Sequence, residues 1–294
     1  MRKVLILGAT GMIGNGLFRA LVPGGDLDVC GTVRAPSDRS LFDSAEAERL
    51  IPGVFAEDWD GLSRLLAERR PDVVINAIGI VKQLDAAKDS LKVLSLNSLF
   101  PHKLALLCRL AGSRLIQIST DCVFSGKDGR YRETDSADAT DLYGRAKFLG
   151  EIDYPNTVTL RTSTIGSELR SGHGLMEWFL SQEGTVRGFT KALYSGVPTI
   201  ELGRVIREHV LPNETLQGLY HVSSKPISKY DLLCLVKEAC GKAVDIVPDD
   251  TVCVDRSLDG GKFKAATGYE AASWPDLVKL MVPELKRAMA PDGG

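Results

Sequence analysis

The chain lacks the features that mark most non-enzymatic classes. It has no basic excess: 36 Lys and Arg stand against 38 Asp and Glu in 294 residues, a formal net charge of −2. The pI is near 6.1, and no stripe of basic residues is interleaved with aromatics. That excludes the electrostatic footprint of a nucleic-acid or acidic-membrane binder. No apolar run approaches the roughly 18 residues of a membrane span. Residues 4–7 are too few for a signal-peptide core after Met1-Arg2-Lys3, so the cytoplasm is the expected location. The six cysteines contain no CxxC and no zinc-type spacing, which points to free, mostly buried thiols. The four histidines are scattered, so no metal site is expected. There is no internal repeat and no low-complexity linker, apart from an end expected to fray at 291–294.

What is present suits a soluble globular protein. Hydrophobic residues make up 44% and charged residues 25% of the chain, enough for one large α/β domain or two smaller ones. Residues 4–7 read as a buried parallel strand ending at Gly8, and 12–21 as a helix stopped by Pro23-Gly24-Gly25. Further strands are expected at 29–33, 72–76, 115–119 and 157–161, with helices at 62–69, within 90–111, and around Tyr143. This alternation predicts right-handed crossovers and a Rossmann-type, doubly wound parallel sheet. Beyond residue 161 the rhythm breaks, leaving helices at 175–180, at 229–240 and from Trp274, and a last strand at 219–222. The expected division is a dinucleotide-binding domain over 1–165, with a returning segment near 200–222. A smaller C-terminal substrate-binding domain would comprise 166–199 and 223–294.

The first strand and helix are joined by Gly8-Ala9-Thr10-Gly11-Met12-Ile13-Gly14. Gly8 permits the sharp turn, Gly11 lets backbone approach a pyrophosphate, and Gly14 lets helix and strand pack closely. The helix N-terminus then offers N–H groups and its dipole to the phosphates. At the end of the second strand stands Arg34, where an acidic residue would hold the ribose of NAD. A guanidinium there suits a 2′-phosphate, so NADPH is the expected cofactor and NADH the alternative. Asp58-Trp59 is placed to meet the adenine, with an ordinary helix cap the competing role for Asp58. Asn76-Ala77-Ile78-Gly79 ends the next strand, where an open sheet has its ligand crevice. Asn97 is a polar residue in an apolar stretch; it joins the cofactor set, with satisfaction of buried backbone as its expected task.

Tyr143 and Lys147 are four residues apart and share one helix face. An ammonium beside a phenol favours phenolate, so the Tyr143 pKa is expected below its usual value of about 10. Tyr143 would then exchange a proton with an alcohol or ketone, the Thr120 hydroxyl orienting the reacting oxygen. Alone this pair is a weak signal, because seven tyrosines yield it by chance in roughly one such chain in three.

Together the glycine turn, the Asn-Ala-x-Gly and Ser-Thr-Asp strand ends and the Tyr-x-x-x-Lys helix resemble the extended short-chain dehydrogenase/reductase family. The similarity narrows to its dTDP-4-dehydrorhamnose reductase-like branch of sugar-nucleotide reductases. Residues 119–126, STDCVFSG, are similar to that branch's STDYVFxG segment, 131–135 to its YxExD stretch, and 142–151 to its YGxxKxxGE helix. Residues 160–163, 196–199, 218–221 and 228–231 also fit. The resemblance implies reduction of the C4 keto group of a nucleotide-activated 6-deoxy sugar. Tyr143 would be the proton donor, Thr120 would steady the oxygen, and Lys147 would hold the nicotinamide ribose. It further implies substrate contacts from Thr120, Asp121, Cys122, Arg161 and Thr199, with the nucleotide sugar as partner and a homodimer as one assembly.

Cys122 departs from the branch, which carries Tyr there, and leaves the particular sugar open. Related 4,6-dehydratases have Glu at this position to abstract the C5 proton, so dehydration is not expected. The stretch from Ser167 to Lys191 offers Arg170, His173, Arg187 and Lys191 to a diphosphate, or else is a solvated loop. Two other readings stand beside the reductase. One is an epimerase that retains its cofactor. The other is a non-catalytic regulatory subunit like the partner of methionine adenosyltransferase, which belongs to the same fold branch.

Overall fold

In the computed structural model, which describes residues 1–81, 89–169 and 174–289, seven parallel strands form the central sheet. In chain order these are β1 (Arg2–Leu7), β2 (Leu27–Thr32), β3 (Leu50–Ile51), β4 (Val73–Asn76), β5 (Arg114–Thr120) and β6 (Thr157–Thr162). The seventh comes after four short strands: β7 (Thr164–Ile165), β8 (Gly184–Phe189), β9 (Ala192–Tyr194), β10 (Val197–Pro198) and then β11 (Gly218–His221). The spatial order is β11-β6-β5-β4-β1-β2-β3, the Rossmann arrangement in which the order reverses beside β1.

Both faces of the sheet are buried, which explains the near-continuous apolar strands. Val4 and Ile6 of β1 point to one side with Val73, Ile75, Ile116 and Ile118, under α1 (Met12–Leu21). Leu5 and Leu7 point to the other with Val74 and Leu115. There they meet Leu62, Leu65 and Leu66 of a helix at Trp59–Arg69 and Phe100 and Leu104 of one at Phe100–Ala111. With the short helices at Ser44–Ala47 and Ser90–Leu94 counted, these two are α3 and α5, and those are α2 and α4. The stretch expected as one helix over 90–111 runs through α4 and α5 with a π-helical turn, Ser95–Leu99, between them. An inserted residue of this kind re-aims a side chain, and here it turns Asn97 to the end of β4.

The second half is built differently. α7 (Leu175–Ser181), β8, β9 and β12 (Ile227–Ser228) pack with α9 (Lys229–Cys240), β13 (Val244–Asp249) and α11 (Trp274–Met289) around a separate apolar cluster. That cluster centres on Met176, Phe179, Leu232, Leu277 and Met281. Between these lie α6 (Leu142–Leu149), α8 (Thr199–Val205), α10 (Gly261–Thr267) and β14 (Val254–Asp255). Reading the sequence missed β8 and β13: their paired register Val244 to Gly184 through Asp249 to Phe189 joins segments sixty residues apart. Both strands are half exposed and mix charge with β-branched residues, so neither shows a clean period.

The outer edge of the sheet is closed by side chains. Glu133 accepts the His221 N–H at 2.7 Å, and the Lys262 Nζ donates to the Leu219 carbonyl at 2.6 Å.

Candidate active site

At the end of β1 the chain turns tightly with Gly8 at φ +86°, a left-handed conformation that favours glycine. The Gly8 N–H donates to Thr32 Oγ1 at 3.1 Å and the Ala9 N–H to the Thr32 carbonyl at 3.0 Å, which pins the turn to β2. A Cβ on Gly14 would lie 2.0 Å from the Gly8 carbonyl oxygen, so α1 can rest on the strand end only with glycine there. Gly11 caps α1 without a side chain. The first-turn N–H groups, in the stretch of Thr10, Met12 and Ile13, are therefore not taken up by a capping side chain. These backbone donors and the missing side chains fit a dinucleotide pyrophosphate. Arg34 is exposed just past β2 and makes no side-chain hydrogen bond or ion pair with another described residue.

The neighbouring residues are organised otherwise than expected. Asp58 caps α3, its Oδ1 accepting the Gly61 N–H at 2.9 Å, and Trp59 packs on Phe100 with ring centroids 5.4 Å apart. Asp58 thus fills the helix-cap role that competed with adenine contact, and Trp59 packs against the core beside it. Asn76 donates to Gln117 Oε1 at 2.8 Å and accepts the Ile78 N–H at 3.0 Å, which shapes the turn Ala77-Ile78-Gly79. Asn97 accepts the Ile80 N–H at 2.9 Å and donates to the Ile80 carbonyl at 2.8 Å. Asn97 is spent wholly on backbone and Asn76 on backbone and Gln117, and both hold the chain just beyond the strand end. The Ile78 side chain reaches the Gly8 turn, 3.0 Å from where a Cβ would stand.

Thr120, Tyr143 and Lys147 come together at the end of β5. Asp141 caps α6 by accepting the Gly144 N–H at 3.0 Å. A Cβ on Gly144 would be 2.2 Å from the Cys122 carbonyl oxygen, so glycine beside Tyr143 lets the helix close onto the Thr120 turn. From the other side Ser98 Oγ donates to the Ala146 carbonyl at 2.9 Å. Thr120 shares a hydrogen bond with the Tyr143 hydroxyl, and its Oγ1 lies 3.1 Å from Asp121 Oδ1. Lys147 is buried and its Nζ donates to the Ile118 carbonyl at 2.8 Å.

The electrostatics reverse the expectation for Tyr143. Burial pushes its phenol above the usual range; the nearby Cys122, Asp121 and Asp141 add to this, and only the Thr120 hydrogen bond opposes it. Burial also pulls Lys147 down to about 8, against the pull of Glu151. The Lys147 ammonium is turned to a carbonyl and does not set the phenol. A half-buried phenol kept neutral in this way is a proton donor awaiting a strong acceptor.

The expected substrate set divides. Cys122 is half-buried beside Tyr143. Asp121 is buried and turned inward, toward Thr120, Cys122, Ser163 and Arg256, with desolvation raising its pKa. Arg161 is 1% exposed, its Nε donating to Glu151 Oε1 at 2.8 Å and its Nη1 lying 2.9 Å from His221 Nε2. Its Nη2 donates to Glu151 Oε2 at 2.5 Å, and the guanidinium lies 4.9 Å from the centre of the Phe124 ring. This is an internal ion pair. Thr199 is also enclosed: a Cβ on Gly16 or Gly166 would stand 2.2 Å or 2.3 Å from its Oγ1. It sits in a helix junction rather than at the crevice. Arg187 faces Asp249 at 3.5 Å and Lys191 faces Asp250 at 3.1 Å, so neither is a free cation for a diphosphate. Arg170 and His173 lie outside the described residues.

Reading the sequence assigned no role to Glu151 or Arg256. Glu151, just past the end of α6, collects Ser119 Oγ at 2.6 Å as well as Arg161. Arg256 donates to the Phe124 carbonyl at 2.9 Å from a loop 132 residues on, with no local pattern to reveal it. A hollow of about 710 Å³ beside β11, lined by Arg132, Asp153, Gln217 and Lys262 among others, contains none of the expected site residues.

Comparison with known proteins places the chain in a family and a fold. The chain is 31% identical over 257 residues to methionine adenosyltransferase 2 subunit beta of Danio rerio, covering 81% of this chain and 74% of that one. It is 26% identical over 305 residues to dTDP-4-dehydrorhamnose reductase of Aggregatibacter actinomycetemcomitans, covering 95% and 98%. The structure of the Bacillus anthracis dTDP-4-dehydrorhamnose reductase in complex with NADP shares the fold, with a TM-score of 0.78 at 20% identity over 97% of this chain and 99% of that one. The model of the RmlD substrate binding domain matches residues 1–286, and the chain belongs to that family.

Proposed function

We propose that this protein reduces the C4 keto group of a nucleotide-activated 6-deoxy sugar with NADPH, in the cytoplasm. The observation that carries the reading is the convergence of Thr120, Tyr143 and Lys147 at the end of β5, in the same sheet as the glycine cradle after β1. The 26% identical relative is a reductase of this class, and the Bacillus anthracis neighbour was solved with NADP.

The bound dinucleotide supplies the hydride. Gly8, Gly11 and Gly14 leave room for its pyrophosphate at the start of α1, and Arg34 is free to take a 2′-phosphate with charge-assisted bonds. Tyr143 holds its proton until charge develops on the keto oxygen, then gives it up as general acid. Thr120 orients that phenol. Lys147, charged below about pH 8, would leave the Ile118 carbonyl for the ribose hydroxyls. Cys122 borders the sugar pocket and replaces the acid that dehydration would need.

The likeness to methionine adenosyltransferase 2 subunit beta favours a second reading, a regulatory subunit without turnover. The deciding experiment follows NADPH oxidation over a panel of nucleotide-linked 4-keto sugars, with the product's C4 configuration read by NMR. Oxidation with one C4 epimer formed is expected. Interconversion of epimers without net oxidation would make the protein an epimerase. Tight NADPH binding with silence across the panel would favour the regulatory reading.

A further inference from the structure

We propose that Asp121 is a positioning residue for this reduction: its carboxyl decides which way the hydrogen-bond chain through Thr120 and Tyr143 points. The inference rests on the reductase reading and deepens it. A threonine hydroxyl has one proton and two lone pairs. The Cys122 N–H, 3.2 Å from Thr120 Oγ1, occupies one lone pair. The other lone pair and the proton are shared between Asp121 Oδ1 at 3.1 Å and the Tyr143 hydroxyl.

Two arrangements satisfy those neighbours. When Asp121 is ionised it can only accept. Thr120 then donates to it, and the remaining lone pair accepts the Tyr143 proton, so the phenol points away from substrate. When Asp121 is protonated it donates to Thr120, Thr120 donates to the phenol oxygen, and the phenol proton is directed at the keto oxygen. Only the second arrangement has the acid loaded in the direction of the reaction, and each donor in it is strengthened by the one behind.

The surroundings of Asp121 bear on which arrangement is populated. Burial is the largest influence and disfavours the carboxylate; Arg256, from the loop after β14, opposes it, as do hydrogen bonds from Thr120, Cys122 and Ser163. Tyr194 of β9 and Tyr143 of α6 also face this charge, and each phenol is pushed up by it. Arg256 is itself tied to the Phe124 carbonyl. A residue of the second half thus biases the direction of a proton at the first.

The test uses the full-length protein in two measurements. In kinetics, kcat of the wild type is expected to fall as pH rises through the Asp121 titration. Asp121→Asn, whose amide nitrogen donates as the protonated acid does, should lose that limb while both KM values stay put. Asp121→Ala should also lose that limb, with kcat held about tenfold below the low-pH value of the wild type, the scale of one lost hydrogen bond. In 13C NMR of aspartate-labelled protein without cofactor, the carboxyl signal missing from Asp121→Asn should titrate above the usual aspartate value of about 3.9. That signal should also move in Thr120→Val. A pH limb unchanged in Asp121→Asn, or a signal that titrates normally and ignores Thr120, would overturn the proposal. Because the NMR arm needs no substrate, it judges Asp121 even if no 4-keto sugar is reduced.

Discussion

The two ends of the crevice are built from opposite materials. At the candidate cofactor end the work is done by absence: Gly8 and Gly14 let the strand end and α1 approach closely, Gly11 leaves the helix start without a side-chain cap, and Arg34 stands in solvent. At the chemical end Lys147 and Asp121 are buried and Tyr143 is half-buried, and desolvation is the largest influence on all three groups. A cradle made of missing side chains is set by a few consecutive residues. A proton donor held by desolvation depends on everything packed around it, including Arg256 from the other half of the chain. The cofactor end is therefore local and tolerant of its surroundings, and the chemical end is neither.

Breaking the buried side should have the largest effect. Arg161→Met leaves Glu151 charged and enclosed with its bidentate partner gone, and unfolding measured in denaturant should show a loss of about 3–5 kcal/mol. A loss of substrate affinity without a loss of stability would instead restore Arg161 to the pocket. Next comes Tyr143→Phe, expected to lower reduction by about a hundredfold or more while NADPH affinity, read by fluorescence titration, stays nearly unchanged. Normal turnover in that variant would remove Tyr143 from the mechanism.

A smaller effect follows from pH. Burial holds Lys147 near 8, so it is an ammonium below that pH and a neutral amine above it. Its charge at the ribose is lost as pH rises, and kcat/KM for NADPH should fall by about tenfold per unit above about pH 8. A flat profile to pH 10 would mean that the charge of Lys147 is not needed. The smallest effect belongs to the exposed end. Arg34→Ala should reduce the preference for NADPH over NADH by about fivefold, the scale of one solvated charge-assisted contact. An unchanged preference would place 2′-phosphate recognition elsewhere.

The same contrast explains what could be read from the residues alone. The helix at Met12–Leu21 and the turn before it were legible because glycine spacing and helical period are local. So was the meeting of Thr120 with Tyr143, since a strand end and a following helix are adjacent in the parallel fold. The rise in the Tyr143 pKa was not legible, because spacing to Lys147 says nothing about how much water either group has lost. Asp58 and Asn76 illustrate a second limit: a polar residue at a strand or helix end satisfies backbone as readily as it meets a ligand, and only coordinates tell the two apart. Arg161 and Thr199 matched motif positions yet proved to be internal. The strands β8 and β13 escaped because neither has a buried face regular enough to show a period.

The closed rim of the sheet has a consequence for how this protein can associate. At one rim Glu133 and Lys262 already occupy backbone groups that an incoming strand would need, and at the other β3 is only two residues long. A foreign chain thus finds little to extend at either margin, the condition under which a sheet resists growing into aggregates. Strand addition to the central sheet is thereby opposed, whereas β8 and β13, half in solvent, pair only with each other among the described residues.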